Sequence, residues 1–165
     1  MTPRQLLRYP RLVRLLAAMA VMLGVLVASA LPASAASARS CRRGSDHVVC
    51  FSVTQSGSRT YVVHIGIDVT MSREDAQARI DAGGIYVVHS LVVGADLVED
   101  DSLFYMTTSW AEAGDGGLAA ELELRVDQAK VNEDDDPWDR YDELYALVGV
   151  YGHPIIYTNT IGGYF

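Results

Sequence analysis

The 165-residue chain is half apolar and carries 13 basic against 21 acidic side chains, a formal net charge of −8. Four of the basic residues and none of the acidic ones fall in the first 38 positions, so the remainder carries −12, with Lys130 its only lysine. Such a surface repels phosphate backbones and anionic lipid, which excludes nucleic acid as a partner; the residues after Ala38 suffice for one compact domain and not for two.

Arg4, Arg8, Arg11 and Arg14 precede an uncharged, mostly apolar run from Leu15 to Leu31, followed by Pro32 and small residues in A-x-A spacing. The pattern predicts residues 1–38 as an export signal, cleaved after Ala35 or Ala38, and residues 39–165 as a single secreted or envelope domain. Membrane contact would then come only from an uncleaved signal, whose apolar run is slightly short for a span. In an oxidising compartment, Cys41 and Cys50 are expected to form a disulfide. Closing that short loop pins the mature N-terminus to the first strand and stabilises by about 2–3 kcal/mol.

Period-two alternation dominates the chain beyond Cys50. Val49, Phe51 and Val53 mark a first strand; Tyr61, Val63, Ile65, Ile67 and Val69 mark a second, with His64 and Asp68 on its other face. A helix is predicted over Arg73–Ala82, with Ser72 as N-cap, Asp75 at the capping-box position and Gly83-Gly84 as its stop. Only Ala76 and Ile80 give it an apolar stripe, so it is expected to cross one end of the layers. Ile85–Val93, apolar nearly throughout, reads as a central or doubly covered strand. Leu103–Thr108 is a shorter candidate, and a Gly114-Asp115-Gly116-Gly117 turn leads into the alternation of Leu118, Ala120, Leu122, Leu124 and Val126. Leu144–Val150 and Ile155–Ile161 complete about seven strands. The fold class is all-β, a mainly antiparallel sandwich of Ig-like or C2-like type with one short helix; a small β-barrel is the alternative.

Two loops concentrate acid: Asp96, Glu99, Asp100 and Asp101 in one, Asp127–Glu143 in the other. Strand parity carries both to the same end. Crowded carboxylates repel, and calcium, which favours many hard oxygen ligands, would convert that cost into a gain. The candidate calcium ligands are Asp100, Asp101, Asp134, Asp136, Asp139 and Asp142; the opposing expectation is a solvated rim that keeps the protein soluble. Asn132, Asp134, Asp136 and Glu143 fall at EF-hand places 1, 3, 5 and 12, but Pro137 stands where the glycine turn belongs and Arg140 at place 9. Trp138 and Tyr141 are candidate ligand or partner contacts, as a platform for a sugar or side chain, unless they fold back to cap the core.

Catalytic motifs are missing: no G-x-S-x-G, H-E-x-x-H, Walker loop or G-x-G-x-x-G occurs. His64 and His89, expected on neighbouring strands, form with Asp68 a weak candidate metal or acid–base site. Ser90 adjoins His89, but adjacent strand residues face opposite ways, which argues against a nucleophile–base pair.

Ile67-Asp68-Val69-Thr70-Met71-Ser72 with Asp75-Ala76-Gln77, and later Asn132-Glu133-Asp134 with Asp142-Glu143-Leu144-Tyr145-Ala146, resemble exported actinobacterial small β-sandwich proteins of unknown function. The resemblance names no activity and lends no catalytic residue. The functional expectation is an extracellular or envelope binding module, not an enzyme, that needs no cofactor beyond candidate calcium and contacts a protein or glycan through its acidic end. A small extracellular hydrolase using a carboxylate or His–carboxylate pair is the alternative. A structural envelope protein is the third reading; it predicts an apolar patch on the wet sheet faces involving Tyr61, Tyr86, Tyr145 and Tyr151.

Overall fold

A computed structural model describes residues 37–95, 100–132 and 141–165. All lie in the second of the two units into which the chain divides, Ala35–Phe165. The strands are β1 (Ser37–Arg43), β2 (His47–Gln55), β3 (Thr60–Val69), β4 (Val88–Gly94), β5 (Asp101–Thr107), β6 (Trp110–Gly114), β7 (Gly117–Asp127), β8 (Asp142–Val150), β9 (Ile156–Tyr157) and β10 (Ile161–Gly163), with a helix α1 (Arg73–Gly83) between β3 and β4. They form two antiparallel sheets, β1-β2-β3-β7-β6 and β10-β8-β4-β5, with β9 also paired to β8. The fold is an all-β sandwich, and the described strands do not close into a barrel.

Alternation does what the sequence predicts in the long strands. Val49, Phe51, Val53, Val63, Ile65, Leu118 and Leu122 turn inward from the first sheet to meet Val88, Val92, Leu144, Ala146 and Val148 of the second, all fully or almost fully buried in one core. The helix starts where expected, with the Ser72 hydroxyl accepting from the Asp75 amide at 3.0 Å. Ala76 is its one buried residue, and it packs against β6 and β7 at one end of the sandwich.

Two strand expectations need correction, and two features lie outside what the sequence predicts. Ile155–Ile161 is not one strand but two short ones, β9 and β10. Ile85–Val87 is not strand: a 3-10 turn over Gly84–Tyr86 leads into β4, leaving Ile85 and Tyr86 exposed. β1 is a strand that the sequence does not announce, because SARSCRR has no apolar alternation; it pairs with β2 along its whole length, with Cys41 directly opposite Cys50. The segment after β5 crosses between sheets. Thr108 Oγ1 donates to the Val88 carbonyl at 2.6 Å, and Ser109 hydrogen-bonds the Glu121 carbonyl through its amide and hydroxyl, so the chain leaves the β5 edge and enters the β6 edge.

β6 and β7 then form a tight hairpin. Gly117 there has φ of +118°, and a Cβ would lie 2.1 Å from the Val69 carbonyl oxygen, so only glycine fits. On the opposite flank Asn159 donates to Ser40 Oγ at 3.1 Å and to the Cys41 carbonyl at 3.2 Å, joining the C-terminal strands to β1.

Candidate functional site

The Cys41–Cys50 disulfide forms across β1 and β2, and the turn closing that hairpin carries Asp46 immediately before His47, the first residue of β2. Main-chain bonds fix the turn: the Gly44 amide donates to the His47 carbonyl at 2.9 Å and the Thr70 amide to the Asp46 carbonyl at 2.7 Å. Gly44 is needed for space, since a Cβ there would lie 2.3 Å from the His47 ring.

From the other sheet, β8 ends at Val150 and a turn, closed by the His153 amide on the Val150 carbonyl at 2.9 Å, brings His153 across. Its Nε2 lies 3.1 Å from Asp46 Oδ2, and His47 Nδ1 lies 2.9 Å from Asp46 Oδ1. The two rings meet edge to face at 6.1 Å. Both imidazoles are largely buried and the carboxylate is half exposed, so the cluster opens on the Asp46 side. Hydrogen bonds from His153, then His47, hold the Asp46 carboxyl down at about 2 against an ordinary value of 3.8.

Neither Asp46 nor the two histidines carries a sequence motif. Each sits in or beside a turn, and the contact spans 107 residues, beyond the reach of any local pattern. The histidines that alternation singles out do not meet. His64 lies on β3 and pairs at 3.9 Å with Glu121, whereas His89 lies on β4 in the other sheet. Both point outward on opposite sides of the sandwich, so the expectation of neighbouring strands is overturned. His89 and Ser90 do face opposite ways, His89 exposed and Ser90 in the core.

The described parts of the two acidic loops share one end of the second sheet: Gly94 pairs with Asp101 on one side and with Leu144 on the other. Asp100 accepts a 2.8 Å hydrogen bond from the Tyr145 hydroxyl. Asp101 is exposed at the start of β5, and Asp142 is buried at the start of β8. Tyr141 meets the Tyr164 ring edge-on at 5.3 Å. Asp134, Asp136, Trp138 and Asp139 lie outside the described residues. The cluster of Asp46, His47 and His153 is at the opposite end, where β2 begins and β8 finishes.

A second feature covers the outer face of the second sheet. Register places Tyr105, Leu91, Leu147 and Tyr157 in one row across β5, β4, β8 and β9, spanning about 14 Å at the usual strand spacing. Tyr105 and Tyr157 are 74% and 52% exposed. Val93 and Tyr145 form the next row. The first sheet presents the opposite chemistry, with Asp68, Glu121, Glu123 and Arg125 on its outer face. Of the tyrosines expected on wet faces, Tyr86 and Tyr151 are exposed and Tyr145 is half-buried, but Tyr61 is buried against Phe165. Burial raises the Tyr61 hydroxyl above its ordinary range.

Comparison with protein-family models, with curated proteins and with solved structures found no match to this chain. Among the described residues, no helix is long and apolar enough to cross a membrane.

Proposed function

We propose that the protein is an exported binding module whose contact surface is the outer face of the β10-β8-β4-β5 sheet. The observation that carries this reading is the uncharged row Tyr105–Leu91–Leu147–Tyr157. Protein interfaces concentrate tyrosine and exclude charge at their centres, with polar groups around the edge; here His89, Thr107 and the Tyr145–Asp100 pair provide that edge. The occupant is a different protein presenting an apolar surface, because a second copy would bring another net charge of −12 against this one.

Photo-crosslinkers placed at Tyr105 and Tyr157 in the producing cells should trap one common partner species, and a crosslinker at Glu123 on the other face should not. Products containing only this chain, or identical products from all three positions, would sink the reading.

Export rests on the N-terminal pattern together with the disulfide. Cleavage after Ala35 fits the fold better than cleavage after Ala38, which would remove Ser37 and Ala38 from their pairing with Thr54 and Val53. The intact mass of the protein recovered from culture medium should therefore begin at Ala36. A calcium site at the acidic end is the second reading, favoured by the shared end of the two loop flanks. A saturable rise in Tm with calcium and not magnesium supports it, and equal responses to both ions count against it.

The hydrolase alternative would use a carboxylate pair or a His–carboxylate pair in contact, and Asp46–His153 is one of the latter. Among the described residues, no hydroxyl or thiol hydrogen-bonds either imidazole, so a hydrolase built on this pair would use it as a general base toward water.

A further inference from the structure

We infer that Asp46, His47 and His153 form a binding site for a zinc-class divalent ion that clamps the β1–β2 turn to the β8–β9 turn. Their ligand atoms lie within 4.8 Å of one another. In a tetrahedral zinc site, with metal–ligand bonds near 2.0–2.1 Å, ligand atoms stand about 3.3 Å apart. His47 Nδ1 lies 2.9 Å from Asp46 Oδ1 and His153 Nε2 lies 3.1 Å from Asp46 Oδ2, so each imidazole already has one oxygen of the carboxylate close to that spacing.

Hydrogen-bond accounting at His153 points the same way. Nδ1 lies 2.8 Å from the Pro154 carbonyl and Nε2 lies 3.1 Å from Asp46 Oδ2. Both partners only accept. Either the ring carries two protons and forms an ion pair, or Nδ1–H donates to the carbonyl while the Nε2 lone pair meets a cation placed between it and the carboxylate. The second arrangement is the usual one for metal-binding histidines, whose other nitrogen donates to a backbone carbonyl that fixes tautomer and ring orientation.

Two imidazoles and a single carboxylate select a borderline transition ion over calcium or magnesium, which require more oxygen ligands. Three protein ligands leave a fourth position on the exposed Asp46 side, open to water or to a side chain from a partner. The site lies at the opposite end from the acidic loops, so it does not depend on the calcium reading.

The test is equilibrium zinc binding to the purified, oxidised protein, by chelator competition and by thermal melts with zinc, calcium or magnesium. One zinc per chain should bind, and zinc alone should raise Tm. Asp46→Asn and His153→Gln should each weaken zinc by at least the roughly 10–100-fold that loss of a supporting partner costs, while His89→Ala leaves it unchanged. Circular dichroism of the zinc-free variants separates lost binding from lost folding. Absence of zinc binding, or zinc affinity unchanged in folded His153→Gln, would overturn the site and leave an ion pair in its place.

Discussion

Ser90 buries its hydroxyl on the core face of β4 without a hydrogen-bond partner among the described residues. Burying a polar group this way costs stability, and deleting the group together with its need is nearly neutral or favourable. Ser90→Ala is therefore expected to raise the unfolding free energy by up to about 1 kcal/mol in urea titrations, and a loss of stability would show that the hydroxyl has an acceptor. Tyr145 provides the opposite case, a polar group well matched. Its bond to Asp100 raises the Tyr145 pKa above the ordinary phenol range. A raised folded value means that the contribution is complete below the unfolded value of about 10 and fades as pH climbs through the folded one. Asp100→Asn should move the Tyr145 phenolate transition to lower pH in an absorbance titration.

At the level of elements, the β1–β2 hairpin depends on its crosslink more than its neighbours do. β1 has the composition of a loop, and its residues are mostly exposed. Replacing Cys41 and Cys50 with alanine is expected to cost about 2–3 kcal/mol, with faster amide exchange first in Ser37–Arg43. Gly117→Ala should cost about 3 kcal/mol or more, because both the positive φ and the carbonyl of Val69 oppose a side chain. The same physics decides how far each element can be read from sequence. β3, β7 and β8 alternate because one face meets the core and the other meets water, and that contrast is written residue by residue. The helix is legible from Ser72, Asp75 and Gly84, since caps are local chemistry. β1 and β6 are not, because edge pairing and a crossing between sheets need only backbone groups and a few hydroxyls such as Thr108. The cysteine pairing is legible from compartment and count. The Asp46–His47–His153 cluster is not, because two turns from different sheets meet only once the sandwich has formed.

For the whole molecule, the contrast between its two outer faces matters most. The outer face of the first sheet carries Asp68, Glu121, Glu123 and Arg125 beside the exposed Trp110, and that of the second centres on tyrosine and leucine with Glu143 at one end. The row Tyr105–Leu91–Leu147–Tyr157 adds little to the core, so replacing both tyrosines with serine should change unfolding free energy by less than about 1 kcal/mol while removing partner crosslinks made from Leu147. A large fall in stability would instead mark the face as structural.

The joining of Ser40 to Asn159 and of Asp46 to His153 has a further consequence, in time. The first strand and the last strands of the domain close on each other, and β4 in the second sheet lies between β5 and the much later β8. Half of the sandwich therefore cannot assemble until nearly the whole chain is present, and chains dominated by such distant pairings fold over milliseconds to seconds. During that interval the inner faces of β2 and β3 have nothing to cover them. A chain truncated before Ile156 should refold poorly and aggregate at concentrations where the full chain does not.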